Sequence, residues 1–215
     1  MNNKKARRIR ATVVRDLTTL ENALKRALLS FYNKYIKGSQ YPVELLKQQY
    51  SKQIRNLIQS TIQKSYIKGM ELVGKSIKIP DFEILISSND LNNIDSLSKK
   101  MEDSFWRTSQ RLLMRETEFK VVNNELEQKD PFDKNAAMVA TSALIVYSAL
   151  NNAVVSKEQE LGGNNKVQFT TANDSHVDPT LCKPKSGEIY DANNVPPDSN
   201  PPLHRHCRCT LIPVV

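Results

Sequence analysis

Residues 135–156 read NAAMVATSALIVYSALNNAVVS and contain no charged side chain. Such a stretch predicts a helix that is either buried in a protein core or inserted in a membrane. It has only about the minimum length for a span, and Thr141, Ser148 and Asn151 are polar side chains inside it. We therefore prefer a buried core helix over about residues 133–160, and we expect no stable membrane span.

Three further helices are predicted on the N-terminal side of this stretch. Residues from about 9 to 37 repeat apolar side chains in steps of three and four, which is typical of a helix that packs on another helix. A second helix is predicted at about 42–73, and the first two should form an antiparallel hairpin. A third is predicted at about 91–128, capped by Asn89-Asp90. Between the second and third, residues 81–88 (DFEILISS) favour a short strand or an extended arm.

The composition changes beyond about residue 160. Seven of the ten prolines lie after residue 178, and only 167–171 and 210–215 have the pattern of strands. The expected fold class is mainly α: long-helix hairpins followed by a small Pro-rich α+β C-terminal module with short strands. The expected domains are a helical domain, 1–160, and the module, 161–215.

The net charge of +8 is a local feature of the N-terminal segment. Residues 1–37 hold ten Lys and Arg side chains against two acidic ones, and the rest of the chain is neutral. A basic helix of this kind predicts a polyanion, such as double-stranded DNA bound without sequence preference, or an acidic protein surface as partner. A merely solvated helix face is the alternative. The candidate contact residues are Lys4, Lys5, Arg7, Arg8, Arg10 and Arg15.

The N-terminus, MNNKKARRIR, is positively charged but is not followed by an apolar stretch. A secretory signal needs such a stretch, so we expect the protein to be made in a reducing cytoplasm, where cysteines stay free.

All three cysteines and all three histidines lie in residues 176–209. Zinc prefers a tetrahedron of Cys and His ligands and could order a module that has little apolar core of its own. There is no CxxC pair, so Asp174, His176 or Asp178 would have to help complete a site. The alternative is that the cysteines are small buried residues and that a histidine forms hydrogen bonds in the turn. The candidate metal ligands are Cys182, His204, Cys207 and Cys209.

Two other chemistries are compatible with the residue types. A cysteine with nearby His and Asp could act as a nucleophile, although no cysteine stands at a strand-to-helix turn. His204 and His206 with Asp or Asn side chains could form a metal-dependent nuclease, for which the basic N-terminus would hold DNA. A zinc-stabilised DNA-binding protein remains a third possibility. Phosphate-loop and dinucleotide-binding motifs are missing from the sequence.

Residues 140–215 resemble the C-terminal module of phage head morphogenesis proteins of the phage Mu protein F type. The most specific part is the ending, in which Pro-Pro, His and Cys-Arg-Cys lead into an apolar strand. The segments that carry the resemblance are VQFTTAND at 167–174, Cys182, GEIY at 187–190, PPLH at 201–204 and CRCTL at 207–211.

The sequence departs from the family at three positions. Phe169 stands where the family usually has Trp, and His206 stands where Asn is more frequent. Pro179 replaces the first Cys of the family's CxxC, which excludes a four-cysteine zinc site.

The resemblance implies a structural minor head protein of a tailed phage or provirus, and not an enzyme. Such a protein lies in the virion, at the portal vertex inside the capsid, and is in the host cytoplasm during assembly. It acts in assembly, DNA packaging or DNA delivery. The implied partners are the portal protein, the major capsid or scaffold protein, and packaged double-stranded DNA.

Overall fold

The structure is a computed structural model. It describes residues 3–77, 84–116, 119–122, 125–128, 133–161, 164–172 and 174–214. For residues 3–10, 77, 115–116, 119–122 and 125–128 only the backbone is described.

Within these ranges the protein is mainly helical, with a small antiparallel sheet near the C-terminus, which confirms the expected fold class. The helices are α1 Asn3–Phe31, which continues as a π-helical turn Tyr32–Ile36, α2 Val43–Ile77, α3 Ser88–Glu116 and α4 Lys134–Leu161. The strands are β1 Phe119–Val122, β2 Glu125–Gln128, β3 Lys166–Thr170, β4 Ile189–Asp191 and β5 Thr210–Pro213.

The prediction that the third helix extends to residue 128 is wrong. α3 ends at Glu116, and β1 and β2 pair as an antiparallel hairpin with Phe119 opposite Gln128. The sequence FKVV at 119–122 ends in two β-branched residues, and two asparagines separate it from β2. Both features favour a tight hairpin over a continuous helix.

The expected strand at 81–88 is not observed where the chain is described. Residues 84–87 have no regular secondary structure and Ser88 begins α3, while 81–83 lie outside the described residues. The structure also contains β4, a three-residue strand that was not predicted.

α1 and α2 run antiparallel, as expected for a helical hairpin. Asp16, near the middle of α1, forms an ion pair of 3.4 Å with Lys68, late in α2. At the C-terminal end of α1, the rings of Phe31 and Tyr50 meet edge to face with centroids 5.5 Å apart. The C-terminal half of α1 therefore packs antiparallel on α2.

α4 is the central helix of the structure. By length and composition it could cross a membrane, but 78% of its most apolar window is buried against the rest of the protein. Its burial on nearly every side agrees with the interpretation as a core helix.

α4 makes its closest approach to α2 at Gly69. A Cβ atom placed on Gly69 would lie 2.6 Å from both the Cβ of Ala153 and the carbonyl oxygen of Leu150. Glycine is therefore required at this position for space, although it lowers helix propensity.

Two apolar clusters fill the interior. The first lies among the four helices and includes Phe105 and Trp106 of α3. The second joins the helices to the C-terminal module: Leu17 of α1 and Leu150 of α4 share it with Phe169 of β3. The module thus has no separate core, and its apolar side chains depend on the helices for burial.

The start of α3 is fixed by a buried polar network. Ser87 caps the helix: its Oγ accepts from the backbone N of Asp90 at 3.1 Å, and Asp90 Oδ2 accepts from the backbone N of Ser87 at 2.8 Å. Asp90 also accepts from Tyr66 and pairs with Lys157 of α4 at 2.8 Å. Burial opposes ionisation of Asp90, but these bonds outweigh it and lower the pKa of its carboxyl group.

We expect Gly69→Ala to lower the free energy of unfolding by about 1–2 kcal/mol, because overpacking exceeds the gain in helix propensity. Urea unfolding followed by circular dichroism measures this. Gln63→Ala, at an exposed position of the same helix, is the control and should be neutral. A Gly69→Ala variant as stable as the control would contradict the close packing of α2 on α4.

Candidate metal centre

The last strand of the C-terminal sheet, β5, directly follows the segment that contains His204, Cys207 and Cys209. β3 is the central strand, with β4 on one side and β5 on the other, both antiparallel to it. Phe169 lies opposite Leu211, and both side chains are fully buried. Alternating apolar residues on β3 and β5 therefore seat one face of the sheet on the helices.

Asn151 of α4 fixes the segment that precedes and begins β5. Its Nδ2 donates to the carbonyl oxygens of Pro201, at 3.1 Å, and Cys209, at 3.3 Å. Its Oδ1 accepts from the backbone N of Leu211 at 2.8 Å. From the sequence alone, Asn151 indicated only that the stretch is poorly suited to a membrane span. A polar side chain inside an otherwise apolar buried helix was the signal that it has a buried partner.

Cys182 is positioned by a turn capped by Asp178. The Oδ1 atom of Asp178 accepts from the backbone N of Thr180 at 2.8 Å and of Leu181 at 2.9 Å. The carbonyl oxygen of Asp178 accepts from the backbone N of Cys182 at 3.1 Å. Asp178 therefore orders the loop that contains Cys182. Its carboxylate already accepts the hydrogen bonds of this turn.

His204 and Cys207 are brought together by a second turn. The backbone N of Cys207 donates to the carbonyl oxygen of His204 at 3.2 Å. His206, inside the turn, has a φ of 63°, a left-handed conformation that is uncommon for a residue other than glycine. The tight reversal places the side chains of His204 and Cys207 on the same side, facing Cys182.

Cys182, His204 and Cys207 form a compact donor set. The Sγ atoms of Cys182 and Cys207 are 3.8 Å apart, and Nε2 of His204 is 3.1 Å from Sγ of Cys182. Around tetrahedral zinc, with Zn–S near 2.3 Å and Zn–N near 2.0–2.1 Å, the corresponding separations are about 3.8 Å and about 3.5 Å. The sulfur pair therefore fits a shared ion directly, and the imidazole ring fits after a shift of a few tenths of an ångström.

The imidazole of His204 has the tautomer that a metal ligand requires. Its Nδ1 lies 2.6 Å from the carbonyl oxygen of Arg205 and can only donate to it, which leaves the lone pair on Nε2 facing the sulfur atoms. Metal-binding histidines typically donate their other N–H to a carbonyl or carboxylate in this way.

The three thiols differ in acidity. A hydrogen bond from the Cys209 thiol lowers the pKa of Cys207 to about 5, against the opposing effect of burial. Burial, with the adjacent Cys207, raises the pKa of Cys182 to about 11. Cys207 and burial also raise the pKa of Cys209. Of the three thiols, that of Cys207 is therefore the most readily ionised.

Cys209 is adjacent to this donor set. It is buried, and its thiol hydrogen-bonds to Cys207. The three mutually close donors are Cys182, His204 and Cys207. Of the four predicted ligands, the structure therefore assembles three and places Cys209 beside them as the candidate fourth.

The other residues considered as ligands have different partners. His176 and His206 stack on one another with ring centroids 5.6 Å apart. Asp174 accepts from the backbone N of His176 and lies 3.5 Å from Arg208. Asp178 caps the Cys182 turn, as described above.

A buried ion pair that the sequence analysis missed connects the module to α1. Arg208 donates from Nε and Nη2 to the two carboxylate oxygens of Glu21, at 2.9 and 2.6 Å, and Glu21 is 2% exposed. Arg208 stands between the candidate ligands Cys207 and Cys209 in the sequence, so this bidentate contact also orients the Cys-Arg-Cys segment.

The predicted basic contact residues all lie on α1. The side chains of Lys4, Lys5, Arg7, Arg8 and Arg10 are outside the described part of the structure. Arg15 is exposed. Further along α1, Val13, Leu17 and Leu24 are buried in the interior, so this helix belongs to the core as well as carrying the basic segment.

Searches with family models, among curated proteins and among solved structures found no match to this chain. The class of protein is therefore defined by the structure itself: a mainly helical protein whose C-terminal module contains a Cys-His-Cys group that could hold a metal ion.

We expect the metal-free protein to retain one thiolate down to about pH 5, with Cys207→Ser removing it. Because the pKa of Cys207 is lower in the folded state, its stabilising contribution is complete above the ordinary thiol pKa and is lost as the pH falls to about 5. Ultraviolet thiolate absorbance during a pH titration measures the step. Cys182→Ser should leave the step in place, and a first step near the ordinary thiol pKa would contradict the assignment.

Proposed function

We propose that this chain is a structural head morphogenesis protein of a tailed phage or provirus. It is a minor component of the virion, bound at the portal vertex inside the capsid, and is not an enzyme. Its partners are the portal protein, the major capsid or scaffold protein, and packaged double-stranded DNA. It acts in assembly, packaging or DNA delivery.

The observation that carries the proposal is that the signature residues face inward. Cys182, Cys207 and Cys209 are each at most 1% exposed, and the backbone around them is bonded to α4 through Asn151. Sulfur atoms this deeply buried are poorly placed to meet a substrate, whereas a structural ion or a set of packed thiols does not need access from solvent. These features support a structural role for the Cys-His cluster, which would attach the module to the helices. Such a role is in keeping with the resemblance to head proteins.

We further propose that the Cys-His cluster binds a zinc ion. The available donors are thiolates and an imidazole, which suit zinc better than magnesium or calcium, the hard cations that bind oxygen. A closed site with protein ligands alone is characteristic of structural zinc. The same donor set argues against the metal-dependent nuclease alternative, since no carboxylate belongs to it.

Contact with DNA is assigned to the basic end of α1. Lysine and arginine side chains neutralise phosphates without reading sequence, so this contact would weaken with salt. Because Leu17, Leu24 and Leu28 bury the rest of α1 in the core, deleting the helix would unfold the protein. Arg7→Gln, Arg8→Gln and Arg10→Gln alter the charge while preserving the buried face.

We expect purified protein to contain about one zinc ion per chain by elemental analysis. Cys182→Ser and His204→Ala should lose it, and His176→Ala should retain it as the matched histidine control. Zinc added to metal-free protein at neutral pH should release about two protons if Cys182 and Cys209 both become ligands, and about one if Cys209 does not. Folded protein that remains well below one equivalent after zinc addition would contradict the zinc proposal.

The head-protein role is tested by mass spectrometry of purified particles. We expect peptides of this chain at low copy number relative to the major capsid protein, retained after nuclease treatment and high-salt washing because the protein lies inside the capsid. A lysate protein of similar abundance serves as the control for carry-over. Particles that lack the chain, or that lose it entirely in the wash, would refute the proposal.

A further inference from the structure

A cleft of about 250 Å³ lies between α3 and α4, and none of the Cys-His donor residues lines it. Arg107 and Arg111 of α3 border it, together with Arg205 from the turn that follows His204. Its apolar floor is formed by Ala140 and Leu144 of α4. We call this feature the arginine cleft.

The arginine cleft has a strong excess of positive charge. Over the part of the chain that the structure describes, no carboxylate lines it, and none of the three guanidinium groups has an ion pair within 4.0 Å. Arg107 and Arg111 are four residues apart on one helix face, a spacing at which like charges repel and destabilise the helix. A bound anion would relieve this repulsion.

The backbone of Arg205 is fixed by a local contact. Its carbonyl oxygen accepts the hydrogen bond from Nδ1 of His204 at 2.6 Å, and the next two residues complete the turn to Cys207. The third guanidinium therefore comes from an ordered turn of the module, and the cleft is built by both parts of the chain.

The size and floor of the cleft define its ligand. Its volume is below the roughly 300–1,000 Å³ of sites for drug-sized molecules, so it has room for one or two side chains. An apolar floor suits the methylene groups of a Glu or Asp side chain, while guanidinium groups at the rim bind its carboxylate in a forked geometry. Phosphates of duplex DNA lie on the outside of a wide rod and are better met by projecting side chains than by a recess.

We propose that the arginine cleft binds the carboxylate side chains of an acidic peptide segment of a partner protein. This site uses none of the donor atoms of the metal centre, and the assignment goes beyond the head-protein proposal and does not depend on it.

Fluorescence anisotropy of the full-length protein with a fluorescein-labelled peptide of alternating Glu and Ala tests the proposal. At an ionic strength of about 0.15 M, where the Debye length is about 8 Å, Arg107→Gln with Arg111→Gln should weaken binding by about tenfold or more, because two charge-assisted contacts are lost. The control is Lys52→Gln with Lys64→Gln, which lowers the net charge equally at exposed positions of α2. It should change the affinity by less than about twofold, since exposed charges far from the ligand are screened.

A second variant tests the volume of the cleft independently of its charge. Ala140→Leu fills the floor without altering any guanidinium group and should also weaken peptide binding, while thermal unfolding monitored by circular dichroism verifies that each variant is folded. Equal weakening by the cleft and control variants, or equal binding of a Gln-Ala peptide, would overturn the proposal. So would a cleft variant that weakens binding of duplex DNA while leaving the acidic peptide unaffected.

Discussion

The buried amide of Asn151 is the contact on which the arrangement of the C-terminal module depends. Its three partners are backbone groups, of Pro201, Cys209 and Leu211, so the amide specifies the path of the chain and not the identity of its side chains. Buried backbone groups that lose such a partner cost about 1–3 kcal/mol each. Movement of the last strand along α4 would break all three bonds together, so the position of the strand is unique.

That fixed path explains how a short segment can place several functional groups. Between the bonds to Pro201 and Cys209, the chain makes the turn that aligns His204 with Cys207. Arg208 then points the opposite way, towards Glu21. The small module has little core of its own, and it gains its order from α4, from the second apolar cluster and from the thiol–imidazole contacts. The donor geometry is therefore a property of the whole fold.

Much of the helical architecture was predictable because it follows from periodicity. The apolar repeat of α1 and the uncharged stretch of α4 each identify a helix and its buried face, and the structure places both in the core. The predicted third helix failed after Glu116 because local β-branched and turn residues outweigh a weak apolar repeat. β4 was not predicted, because a strand of three residues is too short to show an alternating apolar pattern. It forms by pairing with β3.

The residue types of the candidate site were predictable, but their geometry was not. Clustering in the sequence identified Cys182, His204 and Cys207, which the fold brings together. The exclusion of His206 from that set depends on the left-handed turn, which a sequence does not reveal. Contacts between distant parts of the chain, such as those of Asn151 and Arg208, were equally inaccessible, because they depend on which elements meet in the fold.

The ion pair of Glu21 with Arg208 joins residues separated by 187 positions. During synthesis α1 emerges long before its partner, so its buried carboxylate remains uncompensated until the C-terminal segment arrives. Burying an unpaired charge is unfavourable, so α1 cannot settle fully into the interior early. A contact this distant in sequence forms slowly, because the entropy of closing a long loop must be paid before the contact is gained. The module therefore completes the folding of the N-terminal helix, and a chain cut before Arg208 would leave the first helix as well as the last strand incompletely packed.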